Sequence, residues 1–133
     1  MESRVRHNVS LIVTSLLSML FVTFHLADDI VRGFSPGGFS NLTVTVALVV
    51  WLYGTLMLAG KRSGYVINLV LSLLASGLPM IHMTGKGMVG GRVAGTSGAF
   101  FFVWTLLALS VSAACSLVLS ARGLWSLRRG QPR

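Results

Sequence analysis

The chain has 133 residues, of which 53% are hydrophobic and only 11% charged, with a formal net charge of +8. Soluble domains carry roughly 25% charged residues, and a water-exposed surface this poor in charge would be largely apolar and prone to aggregate. The mean hydropathy of +0.78 therefore excludes an ordinary soluble domain and points to a bilayer. The positive charge does not mark a nucleic-acid binder, because the basic residues are scattered through tails and short turns and form no patch among aromatics.

A helix crosses the hydrocarbon core with ~20 mostly apolar residues. The first stretch of that kind runs from about Val9 to Ile30. It has a basic start, but its apolar run exceeds the usual 7–15 residues of a signal peptide and lacks an A-x-A site, so an uncleaved helix is expected. Thr14, Ser18, His25, Asp29 and Arg32 fall within a narrow arc at ~100° per residue, a polar face that should point inward.

The end of this segment, His25-Leu26-Ala27-Asp28-Asp29-Ile30-Val31-Arg32, is the most informative in the chain. Two carboxylates and a histidine at the end of an apolar helix are costly unless paired or hydrated. At helical spacing His25 neighbours both aspartates, and each aspartate reaches Arg32. One reading is an interfacial Asp28–Arg32 pair that stabilises by about 0.3–0.5 kcal/mol. The other is a cation or proton site in which Asp29 orients or charges His25. With His82, the residues His25, Asp28, Asp29 and Arg32 form the candidate substrate- or ion-binding cluster.

Gly33-Phe34-Ser35-Pro36-Gly37-Gly38 is a loop with turn chemistry at nearly every position. The second span runs from about Leu42 to Gly60, and Lys61-Arg62-Ser63-Gly64 forms a tight charged turn into the third, about Tyr65 to Thr84. Asn68, Ser72, Ser76, Pro79 and His82 share a restricted arc of that helix. Pro79 is expected to kink it and free carbonyls near Ala75 and Ser76.

His82 lies near the outer end of the third span as His25 does in the first, so the two could ligate one metal or haem iron. Met80 and Met83, with Met88 beyond, add thioethers that favour Cu(I). Against this, methionine is common filler in apolar helices, and of the two histidines only His25 has an obvious partner for its second ring nitrogen. Haem or copper therefore stands as the alternative to a chain without a cofactor. Gly85 to Arg92 lacks the order of a phosphate-binding loop and reads as a flexible external loop.

The fourth span runs from about Ser97 to Arg122 and carries Ala108, Ser112, Ser116 and Ser120 at four-residue spacing, a small-residue stripe suited to close helix packing. Cys115 is the one cysteine and lies inside this apolar run, so no disulfide and no cysteine-based zinc site can form within one chain. The basic tail 122–133, with Trp125, Arg128 and Arg129, resembles an interfacial anchor on anionic lipid. The sequons at Asn8 and Asn41 lie beside spans and are read as unglycosylated.

Eight basic residues fall on the side of the termini and three on the other, where Asp28 and Asp29 also lie. The bias places both termini in the cytoplasm. The fold expected is all-α: one transmembrane domain over 1–133, an integral membrane four-helix bundle, antiparallel and up-down-up-down. The arginine-rich composition is compatible with a bacterial inner membrane.

No Ser/His/Asp or Cys/His constellation is present. No span carries an acid at its middle, unlike the four-helix exporters of the small multidrug resistance type. The expectation is a non-enzymatic accessory subunit or minor transport component, with the bilayer and another membrane protein or a second copy as partners. The alternatives are a metal- or haem-handling redox protein using His25 and His82, and a proton-coupled transporter of a small solute.

Overall fold

The computed structural model describes residues 2–35, 37–83, 93 and 95–130. The stretch 84–92, with Lys86, Met88 and Arg92, lies outside them, as does the side chain of Met83. The described chain is all-α, with four helices: α1 Glu2–Val31, α2 Leu42–Leu56, α3 Arg62–Met83 and α4 Ala99–Arg128, and a short 3-10 turn, Phe39–Asn41, leads into α2. Three of them, α1, α3 and α4, are long and apolar enough to cross a membrane.

The helix ends differ from the expected ones in instructive ways. α1 begins at Glu2 and α4 reaches Arg128, so the polar flanks continue the helices as one or two further turns. A 30-residue helix is about 45 Å long and overshoots a hydrocarbon core of ~30 Å. α2 is shorter than expected, 15 residues ending at Leu56 rather than at Gly60, or about 22 Å. Met57 to Gly60 are used in a turn that the Lys61 N–H closes on the Leu58 carbonyl at 3.0 Å. α3 continues through Pro79 to Met83.

α1 stops where the sequence supplies a left-handed residue. Gly33 has φ +73°, its N–H bonds the Ile30 carbonyl at 3.0 Å, and the Phe34 N–H bonds the Asp29 carbonyl at 2.8 Å. That pair of bonds is the Schellman closure of a helix end. It fixes the last turn of α1, and with it the backbone of Asp29.

α4 carries the most continuous buried face. Phe102, Leu106, Leu109, Ala113, Ser116, Ser120 and Gly123 recur every three or four residues, the spacing of one helix stripe. This face packs on α1 and α3. Ala108 lies beside the stripe and is half-buried. At Gly123 the Tyr65 ring rests where a side chain would stand, so only glycine lets α3 and α4 approach this closely.

Met19, Trp51, Ala75, Leu109 and Ala113 form a buried apolar layer. A polar network lies against one side of it and draws on all four helices. Asn68 is 1% exposed, and its Oδ1 accepts from Ser15 Oγ at 2.8 Å, Trp51 Nε1 at 2.9 Å and Thr55 Oγ1 at 2.9 Å. An indole N–H can only donate, so Trp51 fixes which face of the amide is oxygen. The amide nitrogen then donates to the Gly64 carbonyl at 2.9 Å.

Ser15 spends its proton on Asn68, so in the 2.7 Å contact with Ser116 it is Ser116 that donates. Ser116 in turn accepts from Ser72 at 2.8 Å. Each hydroxyl donates once, and the chain of bonds runs one way, from Ser72 through Ser116 and Ser15 to Asn68. In an apolar medium an unpaired donor costs about 1–3 kcal/mol. Asn68→Leu strands three donors at once and should destabilise the fold by about 2 kcal/mol or more. Ser72→Ala removes only the terminal donor and should cost under about 1 kcal/mol. Reversible unfolding in mixed detergent measures both, and equal losses would contradict the network as described.

Candidate metal centre

His25 and Asp29 are one turn apart on α1 and so share a face, while Asp28 and Arg32 form a second i,i+4 pair turned by ~60°. α3 brings His82 to the first pair only. The five candidate residues therefore divide into two groups. His25, Asp29 and His82 form a cluster whose possible ligand atoms all lie within 4.8 Å of one another. Asp28 and Arg32 form a separate bridge.

In the cluster the two imidazoles meet through their Nε2 atoms at 2.8 Å, with the rings nearly perpendicular. Asp29 Oδ2 lies 3.7 Å from the His25 nitrogen and 3.9 Å from that of His82. A hydrogen bond between two such nitrogens needs one donor and one acceptor, so the pair shares a single proton. A metal ion can take that proton's place. The triangle formed by the three atoms contains a point about 2.0 Å from each, the length of a zinc–nitrogen or zinc–oxygen bond.

Burial sharpens the point. His25 is 3% exposed. Among the described residues three buried side-chain polar atoms have no hydrogen-bond partner, and two of them, His25 Nδ1 and Asp29 Oδ1, belong to this cluster. Buried polar atoms are normally satisfied. Asp29 Oδ1 is free to join Oδ2 on an ion, whereas His25 Nδ1 lies on the other edge of its ring. The partner expected for the second ring nitrogen of His25 is therefore not there: Asp29 faces Nε2 instead. The third is Ser120 Oγ, on the expected small-residue stripe. Its neighbours there are bonded: Ser112 accepts from Ser18 at 3.1 Å, and Ser116 joins Ser15 and Ser72.

The donor set is two imidazoles and a carboxylate, which suits zinc and similar divalent ions better than Cu(I). Met80 is 71% exposed and lies on the outer face of α3, away from the cluster. Nor does the arrangement provide for haem. Axial ligands on opposite faces of an iron stand about 4 Å apart, twice a metal–nitrogen bond, whereas these nitrogens are in contact.

Phe102 is the residue that sequence reasoning missed. It is 1% exposed and its ring packs against His25 at 5.0 Å, His82 at 5.6 Å and Phe34 at 6.1 Å between centroids. The run Phe100-Phe101-Phe102 was visible in the sequence, but only the helix phase shows that the third of them faces inward. Arg32 Cζ lies 5.6 Å from the same ring, in cation–π range.

Arg32 also forms a latch. Its Nε donates to Asp28 Oδ2 at 2.7 Å, Nη1 to Thr96 Oγ1 at 2.9 Å and Nη2 to the Ser97 carbonyl at 3.3 Å. One guanidinium thus ties the end of α1 to the segment that enters α4. Comparison of the chain with protein-family models, with curated proteins and with solved structures returned no match, so function has to be argued from this chemistry. Arg32→Lys keeps the charge but cannot make three directed bonds. It should raise hydrogen exchange at Thr96 and Ser97 several-fold without loss of helix signal, and unchanged exchange would remove the latch.

Proposed function

We propose that this chain is a non-enzymatic, multi-pass membrane protein that holds one divalent transition-metal ion of the zinc class through His25 Nε2, His82 Nε2 and the Asp29 carboxylate. The observation that carries the reading is the convergence of these three atoms around a point at bonding distance from each, beside a second carboxylate oxygen, Asp29 Oδ1, that has no hydrogen-bond partner. Three protein ligands leave one coordination position for water or a donor from a partner. The protein would serve as an accessory or minor transport component that presents the ion to another membrane protein.

The arrangement proposed for the membrane is a four-helix antiparallel bundle with both termini cytoplasmic. Its support is the eight-to-three distribution of basic residues and the pairing of ends. Asn8 near the start of α1 accepts from Tyr65 near the start of α3, and Tyr65 meets Gly123 near the end of α4. His25, His82 and Phe102 meet at the opposite end, which under the charge bias would be the non-cytoplasmic one. α2, at about 22 Å, would cross with local thinning of the bilayer.

Two measurements test this. Purified protein should bind Co(II) and Zn(II) at one ion per chain, followed by the visible absorption of Co(II) and by titration calorimetry. His25→Ala and His82→Ala should each weaken binding by at least about a hundredfold, and Asp29→Asn by about tenfold or more. Binding should weaken on acidification, because protons compete for the imidazoles. A wild-type protein that binds no divalent ion above background would end the metal reading. For the topology, single cysteines at Lys61 and at Ser97 in a Cys115→Ser background should react with an impermeant maleimide from opposite faces; labelling of both from one face would reverse it.

A further inference from the structure

The end of the molecule opposite the histidine cluster holds a second concave site, built from different residues. A cavity of about 70 Å³ lies between the ends of α1, α3 and α4, lined among others by Arg4, His7, Asn8, Tyr65 and Ser126. One water needs about 10–15 Å³ of such space, so the cavity admits several waters or one tetrahedral oxyanion. Part of its wall is Gly60 and Gly123, against which the Asn8 amide and the Tyr65 ring are packed. The lining polar groups include hydrogen-bond donors on two helices: the guanidinium of Arg4 and the imidazole of His7 on α1, and the hydroxyl of Ser126 on α4.

The electrostatic surroundings select the sign of the occupant. Among the described residues this end carries Arg4, Arg6, Lys61, Arg62, Arg122, Arg128 and Arg129. The one carboxylate there, Glu2, is held by Arg6 at 3.2 Å. α1 and α3 both begin at this end, and helix N-termini favour an anion. Basic cavities between membrane helices at the cytoplasmic face are suited to phosphorylated headgroups.

We infer that this cavity is a phosphate-binding site, with the phosphodiester of an anionic phospholipid headgroup in the inner leaflet as its ligand and Arg4 and His7 as the groups that grip it. The diester phosphate accepts from both side chains while the acyl chains lie along the apolar outer surface of the helices. The site is independent of the metal reading, since none of its residues belongs to the histidine cluster.

The test is native mass spectrometry and thermal unfolding of the full chain with phosphatidylglycerol, phosphatidylcholine or inorganic phosphate added to the same detergent. Phosphatidylglycerol should be retained about tenfold better than phosphatidylcholine and should raise the Tm more than inorganic phosphate does. Arg4→Gln with His7→Gln should remove the preference. Arg6→Gln removes one positive charge, as Arg4→Gln does, but Arg6 lies outside the cavity, and this variant should keep the preference. Equal stabilisation by free phosphate would replace the lipid by a soluble phosphate and overturn the assignment as stated. Loss of the preference in Arg6→Gln to the same degree would show diffuse attraction to a basic surface and would overturn the site altogether.

Discussion

One carbonyl oxygen holds the interior of this protein together. Asn68 Oδ1 accepts from α1 and twice from α2 while belonging to α3, and Ser15 passes the connection on to α4 through Ser116. Three of these helices are long and apolar enough to cross a membrane, and where lipid tails are the solvent, burying more hydrocarbon gives helices no reason to choose one another. Directed polar bonds and close backbone approach supply that choice. Asn68 provides the first and Gly123, under the Tyr65 ring, the second. The relative phase of the helices is set by these contacts, and the histidine cluster inherits that phase. Ser15 and His25 stand ten residues apart on α1, and their partners Asn68 and His82 fourteen apart on α3.

The sequence announced four apolar segments and their approximate limits because length and composition suffice for that. Helix ends were less legible. The polar flanks of α1 and α4 stay helical because helix geometry does not stop where the hydrocarbon does, and the hydropathy that marks a span says nothing of that continuation. α2 ended early for the converse reason: Met57, Leu58 and Ala59 are apolar enough to extend the span, but they are spent on the turn that Lys61 closes.

The site was legible in part, and the division is physical. Spacing within one helix was enough to put His25 beside Asp29 and Asp28 beside Arg32, because both pairs are i,i+4. Whether the pairs act together depends on which of them a neighbouring helix meets, and that is a tertiary fact. α3 meets the first. The segment before α4 meets the second, through Thr96 and Ser97, two residues with nothing in their local sequence to single them out. Phe102 was hidden for a similar reason: in a run of three phenylalanines, one is 1% exposed and another 82%, and only the packing phase separates them.

The dependence of the network on α4 has a consequence for how the protein is made. Of the four helices α4 is the last to be synthesised. Until it arrives, Ser15 and Ser72 lack Ser116, Ser18 lacks Ser112, and the imidazoles lack the ring of Phe102 that packs against both. Ser18 also makes a 2.7 Å bond to the Thr14 carbonyl of its own helix, which does not depend on α4. The first three helices thus hold the Asn68 part of the network among themselves, and the serine contacts of α4 complete it.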